Sequence, residues 1–201
     1  MKYSGIANFI KKRKSVRVAE FDDVQWIGDG AVFYPIFGMR ALNDEELIHF
    51  LDLDPSDITV DHLLNPPIDF TAETMGEIFI NDRGSNVVIG GEMCRTYYTE
   101  QGALFFAEKY FKPVESDKSV DVSTDVYMRV SERNGKQFPY IVLKKGIYIF
   151  AVICPIDTWS NDTALKNFRK LAEQVKLARL NFAFFDQFNE ECSGDEDDDK
   201  E

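Results

Sequence analysis

The chain of 201 residues is poor in the side chains that catalysis most often uses. It has two histidines, His49 and His62, and neither has a Cys, His or carboxylate at zinc-ligand spacing. Its three cysteines, Cys94, Cys154 and Cys192, are odd in number and far apart, which argues against a disulfide framework and for reduced thiols. There is no Gly-x-Ser-x-Gly elbow, no phosphate-loop lysine and no Cys-x-x-Cys pair, so the local signatures of acyl transfer, nucleotide binding and dithiol redox chemistry are missing. Gly28-Asp29-Gly30 lacks a third glycine and leads into a strand, so it reads as a hairpin turn. No apolar run reaches spanning length, and the first helical segment is short and runs into Lys11-Lys12-Arg13-Lys14. The expectation is a cytoplasmic protein with no membrane partner, no cofactor, no metal and no assigned catalytic residue.

What the chain does have is aromatic bulk and negative charge. Seventeen Phe and eight Tyr supply a large core for one domain. The formal charge is −12; Asp195 to Glu201 hold six acids and one Lys, or −5, which leaves −7 for the rest. Residues 191–201 read as a disordered acidic tail and 1–190 as a single globular domain, with a subdomain junction around 53–70, where Asp54-Pro55 and Asn65-Pro66-Pro67 interrupt regular structure. Acid pairs such as Asp22-Asp23 and the Asp44-Glu45-Glu46 run sit at a turn and a helix start, where solvation and the helix dipole explain them.

The segment Val126 to Ile156 carries the strongest pattern. Alternating apolar residues break at Asn134-Gly135 and again at Lys145-Gly146, which predicts three antiparallel strands. The third, Ile147 to Ile153, is apolar on both faces and is therefore expected to be central and covered on each side, one cover being the C-terminal helix. Before it, strands are expected at Ser15–Ala19, Val24–Ile27, Ala31–Ile36 and Met93–Tyr98, with a hairpin pairing Glu77–Asn81 and Asn86–Ile89. Helices are expected from a Ser4 cap to Ile10, from an Asn43 cap, over Gly102–Phe111, and from Asp162 or Thr163 onward. The last is amphipathic, and its wide apolar stripe is expected to be buried in the domain. The fold class is α+β, a mainly antiparallel sheet with a short N-terminal helix and a longer C-terminal one.

Two basic helix faces are the candidate binding residues: Lys11, Lys12, Arg13 and Lys14, and then Lys166, Arg169, Lys170 and Lys176. Clustered cations on one face suit phosphate or an acidic partner.

The segment Asp23-Val-Gln-Trp-Ile-Gly-Asp-Gly30 with Tyr34-Pro35, and the segments Gly102 to Pro113 and Lys145 to Pro155, resemble a group of uncharacterised proteins from phages and integrated elements of Firmicutes. The order from Met93, strand, helix, then three strands ending at Ile153-Cys154-Pro155-Ile156, is similar to the second half of a bacterial-type sliding-clamp domain. The first resemblance implies a phage or mobile-element setting in the cytoplasm of a bacterial host; the second implies a closed homo-oligomer whose basic helix faces meet DNA. The expected function is a non-enzymatic accessory protein of a phage or mobile element that acts by binding a protein partner, with DNA a second candidate partner and a sliding-clamp-like part in replication one form of it. Two alternatives stay open: an acidic mimic of nucleic acid that inhibits a host defence or replication enzyme, and a hydrolase whose carboxylates converge only in the fold.

Overall fold

Ile6, Ala7, Phe9 and Ile10 recur at helical spacing, and α1 (Tyr3–Arg13) buries all four. The computed structural model describes residues 1–64, 66, 68–72, 76–81, 84–99, 102–117, 123–133, 135–156, 170–178 and 180. α1 starts at Tyr3 with Lys2 in the N-cap position, so Ser4 is a helical residue and not the cap. At its other end Lys14 turns left-handed (φ 56°) and its N–H bonds the Ile10 carbonyl, while Lys11, Lys12 and Arg13 stand in the last turn against the negative end of the dipole.

β1 (Ser15–Phe21), β2 (Val24–Gly28) and β3 (Val32–Ile36) form two successive antiparallel hairpins. Asp22 and Asp23 make the first turn at φ 46° and 59°. The second turn needs glycine for a different reason: a Cβ on Gly28 would lie 1.6 Å from the Val32 carbonyl oxygen. α2 (Asp44–Phe50) begins with a capping box in which the Asn43 side chain accepts from the Glu46 N–H and the Glu46 carboxylate accepts from the Asn43 N–H. The expected irregular crossing after it holds a strand, β4 (Thr59–Leu63), parallel to β1 with Ser15 opposite Thr59. Its mixed polar sequence hides it, because an edge strand needs only backbone partners on one side.

Two expectations in the middle of the chain are corrected. β5 (Ile78–Phe79) and β6 (Val87–Ile89) do not pair with each other. β6 turns back through Gly90 and Gly91, at φ 58° and 82°, onto β7 (Glu92–Thr99), while β5 joins a strand far along the chain. Gly102 to Phe111 is not a helix: β8 (Gly102–Ala107) pairs with β7, and a 3-10 turn (Glu108–Tyr110) leads to α3 (Lys112–Glu115). Leu104 and Phe106 face one core and Ala103 and Phe105 another, so two-sided burial erases the alternation that would mark a strand. From Met93 the order is thus strand, strand, short helical turns and three strands.

Those three strands are where the sequence puts them: β9 (Asp125–Arg133), β10 (Lys136–Lys145) and β11 (Tyr148–Ile153). The main sheet runs β4-β1-β2-β3-β11-β10-β9-β5 and the second sheet β6-β7-β8, and every pairing except β1 with β4 is antiparallel. β11 is central, between β3 and β10. The register steps from Leu143 opposite Ala151 to Lys144 opposite Ile149, so Phe150 is an extra residue that bulges β11 and slips its alternation by one, and Ile149 shares a face with Val152 and not with Ala151 and Ile153.

Both faces of β11 are covered, one of them partly by the expected N-terminal helix, while the described residues of the C-terminal helix are not among the covers. Ala151 and Ile153 pack with Ile6 and Ile10 of α1 and with Leu104 and Phe106 from the second sheet. Ile149 and Val152 lie on the opposite face with Trp26 and Tyr140, under Ile68 and Phe70 from the segment after β4. The described part of the C-terminal helix sits instead on the second sheet. Residues 170–178 are helical, Ala172 is buried beside Phe105, and the Tyr98 hydroxyl donates to the Ala172 carbonyl at 2.9 Å. Leu171, Val175, Leu177 and Leu180 are exposed, so the expected deep burial does not extend to them. The expected helix start at Asp162 or Thr163 and the tail lie outside the described residues.

Candidate interaction surface

Antiparallel pairing brings three chain reversals to one end of the main sheet: the Asp22-Asp23 turn before β2, the end of β3, and the Gly146-Ile147 turn before β11. Large apolar side chains stand open there. Phe37 is 40% exposed, Met39 41%, Ile147 65% and Tyr148 61%. The aromatic ones are in contact: the Phe37 ring lies edge-on to Tyr148 at 6.2 Å and to Phe150 at 5.5 Å, with Met39 and Ile147 one or two residues along the chain from them. Grouped aromatic and aliphatic surface of this kind releases ordered water when a partner covers it.

The loop that carries Phe37 and Met39 continues into a second feature. Arg40 and Ala41 line two adjoining clefts, one of about 680 Å³ with Glu20, Asp44, Glu45 and His62, and one of about 440 Å³ with Glu20, Asp22, Asp23 and Gln25. The loop is held in place from both sides. Gln25 donates to the Leu42 carbonyl and accepts from the Leu42 N–H, and Arg40 makes a two-point pair with Glu46. Glu20, Asp22, Asp23 and Glu45 are exposed and have no ion-pair partner among the described residues. His62 Nε2 donates to Asp44 Oδ1 at 2.8 Å, a pairing that residue spacing alone could not reveal because β4 and α2 meet only in the fold. Among the described residues no three His, Cys, Asp or Glu side chains are arranged to hold a metal ion.

The basic residues singled out from the sequence fall in separate places. Lys11, Lys12, Arg13 and Lys14 are exposed at the end of α1, but Arg13 lies 3.7 Å from Asp29 and Lys14 3.3 Å from Asp57. Lys170 and Lys176 are on the C-terminal helix, where Lys176 lies over the Tyr98 ring at 4.9 Å. Lys166 and Arg169 lie outside the described residues. The exposed apolar patch was not singled out from the sequence. Its only local sign is the placing of Phe37, Met39 and Ile147 beside the turn glycines Gly38 and Gly146.

Three buried polar groupings serve the fold. Asp29 accepts from the Ala31 and Val32 N–H groups and from the Tyr110 hydroxyl at 2.7 Å; burial first, and then the Asp29 carboxylate, push the Tyr110 hydroxyl well above its ordinary range. The same two causes, in that order, raise the Cys154 thiol to about 11, so this cysteine is a thiol and not a nucleophilic thiolate near neutral pH. Arg129 and Lys144 both bind Glu77, and Arg129 also donates to the carbonyls of Asp69, Thr71 and Ala72, which ties the segment over Trp26 to β9. Arg95 pairs with Glu115 and lies over Phe111 at 4.2 Å, joining the second sheet to α3.

Compared with protein-family models, with curated proteins and with solved structures, the chain matches none. No helix among the described residues is long and apolar enough to cross a membrane.

Proposed function

We propose that this protein acts by binding another protein, as an accessory factor of a phage or mobile element, and not by catalysis. The observation that carries this reading is the open patch of Phe37, Met39, Ile147 and Tyr148 at one end of the main sheet. The setting rests on the resemblance of its Asp23–Gly30, Gly102–Pro113 and Lys145–Pro155 segments to phage proteins. A paired Ile147→Asp and Tyr148→Asp variant tests it, because both side chains are exposed and their loss should leave the melting temperature unchanged. Affinity capture from phage-infected cells should retain a defined protein on the wild type and lose it on the variant. A capture profile identical for the two, or empty for both, would sink the reading.

Contact with DNA has narrower support. Lys11 and Lys12 are exposed and without an ion-pair partner among the described residues. Retention on duplex DNA at low salt should be lost in a Lys11→Glu, Lys12→Glu variant, and a wild type that is not retained ends that idea.

A further inference from the structure

The open apolar patch does not stand alone; an acidic surface adjoins it through the chain itself. Met39, in the patch, is followed directly by Arg40, which lines both clefts. Arg40 contributes no free positive charge there, because Glu46 takes its guanidinium at two points. Four carboxylates remain around the clefts without an ion-pair partner among the described residues: Glu20, Asp22, Asp23 and Glu45. Like charges gathered around adjoining clefts repel one another in the free protein, and a cationic partner relieves that repulsion as it docks.

We infer that the partner bound at this surface is a basic protein segment carrying apolar anchors, with Leu- or Phe-type side chains seated on Phe37 and Tyr148 and Lys or Arg side chains laid into the clefts beside Glu20 and Asp22. This inference rests on the protein-binding reading above and adds the chemistry of the partner. An apolar patch by itself accepts any greasy surface, and an acidic cleft by itself attracts any cation. Their adjacency selects a segment that presents both, and it rejects duplex DNA, whose phosphates the four carboxylates repel.

The test uses the full chain and three fluorescent synthetic peptides: repeats of Lys-Arg-Leu-Phe, the same repeats with Glu for both cations, and the same repeats with Ser for both apolar residues. The first should bind and the other two should bind at least about tenfold more weakly, because each lacks one of the two features. Asp22→Asn with Asp23→Asn removes two charges while keeping a side chain that tolerates the left-handed turn, and Glu20→Lys is a second variant on a strand. Each should weaken the first peptide about tenfold and flatten its salt dependence. Tyr148→Asp should weaken it as well. If Tyr148→Asp weakens binding but neither charge variant does, the basic partner is wrong and the protein-binding reading stands. If the Glu peptide binds as well as the Lys-Arg peptide, or if the Lys-Arg-Leu-Phe peptide shows no binding, the inference is overturned, and the capture experiment then decides the broader reading by itself.

Discussion

Asp22 and Asp23 occupy the two central positions of a turn that glycine fills at least cost, with φ at 46° and 59°. Replacing Asp23 by Gly should raise stability by about 0.5 to 1 kcal/mol, read as a higher urea midpoint, while weakening a basic peptide at the neighbouring cleft. A drop in the midpoint would show that Asp23 makes a stabilising contact the geometry does not contain. Glu77 shows the opposite case, a charge the fold depends on. Burial alone would raise its carboxyl, but hydrogen bonds from Lys144 and Arg129 and their charges outweigh burial and hold it below its ordinary value of 4.5. A lowered folded value means its stabilisation is fully present above 4.5 and is lost as pH falls through the folded value. Glu77→Gln should therefore cost about 3 kcal/mol near neutral pH. Its urea midpoint should also fall less steeply than that of the wild type as the buffer is taken from about pH 5 to about pH 3. Parallel pH profiles would remove Glu77 from the account.

α2 is a short helix of seven residues with Leu47 buried, so its ends matter as much as its face. Asn43→Ala removes one half of the capping box and should cost about 1 kcal/mol in urea unfolding. No change would mean that Gln25 and Arg40 hold the loop without help from the cap. This cap was legible in the sequence, as were the hairpin of β9 with β10 and the three strands of that region, because each depends on residues close together in the chain. β8 was not. Leu104, Phe105, Phe106 and Ala107 are apolar on both faces, and a segment buried on two sides has no period to read. Nor was the slip in β11, since the extra residue Phe150 shows only in the register against Leu143 and Lys144 of the partner strand.

The whole molecule is a stack in which irregular chain does the work expected of a helix. Phe70 lies 4.5 Å from the Trp26 ring and 5.7 Å from Phe33, and with Ile68 it covers the second face of the main sheet. Phe70→Ala should cost about 3 to 5 kcal/mol by urea unfolding, as for a large side chain deleted from a packed interior. A loss below about 1 kcal/mol would mean that this face is not closed by the segment after β4. The sequence by itself determined the α+β class, the central place of the strand that ends at Ile153 and the need to cover it twice, because burial on both faces is written into the run Ile149 to Ile153, while Ile147 and Tyr148 at its start stay open. It also supplied the cap of α2 and the turn at Asp22-Asp23. Only the tertiary structure decided which segments cover that strand, where the C-terminal helix lies, and that Phe37, Met39, Ile147 and Tyr148 meet beside Glu20, Asp22, Asp23 and Glu45. Those residues come from four separate parts of the chain, and pairing between distant strands is what brings them to one end of the sheet.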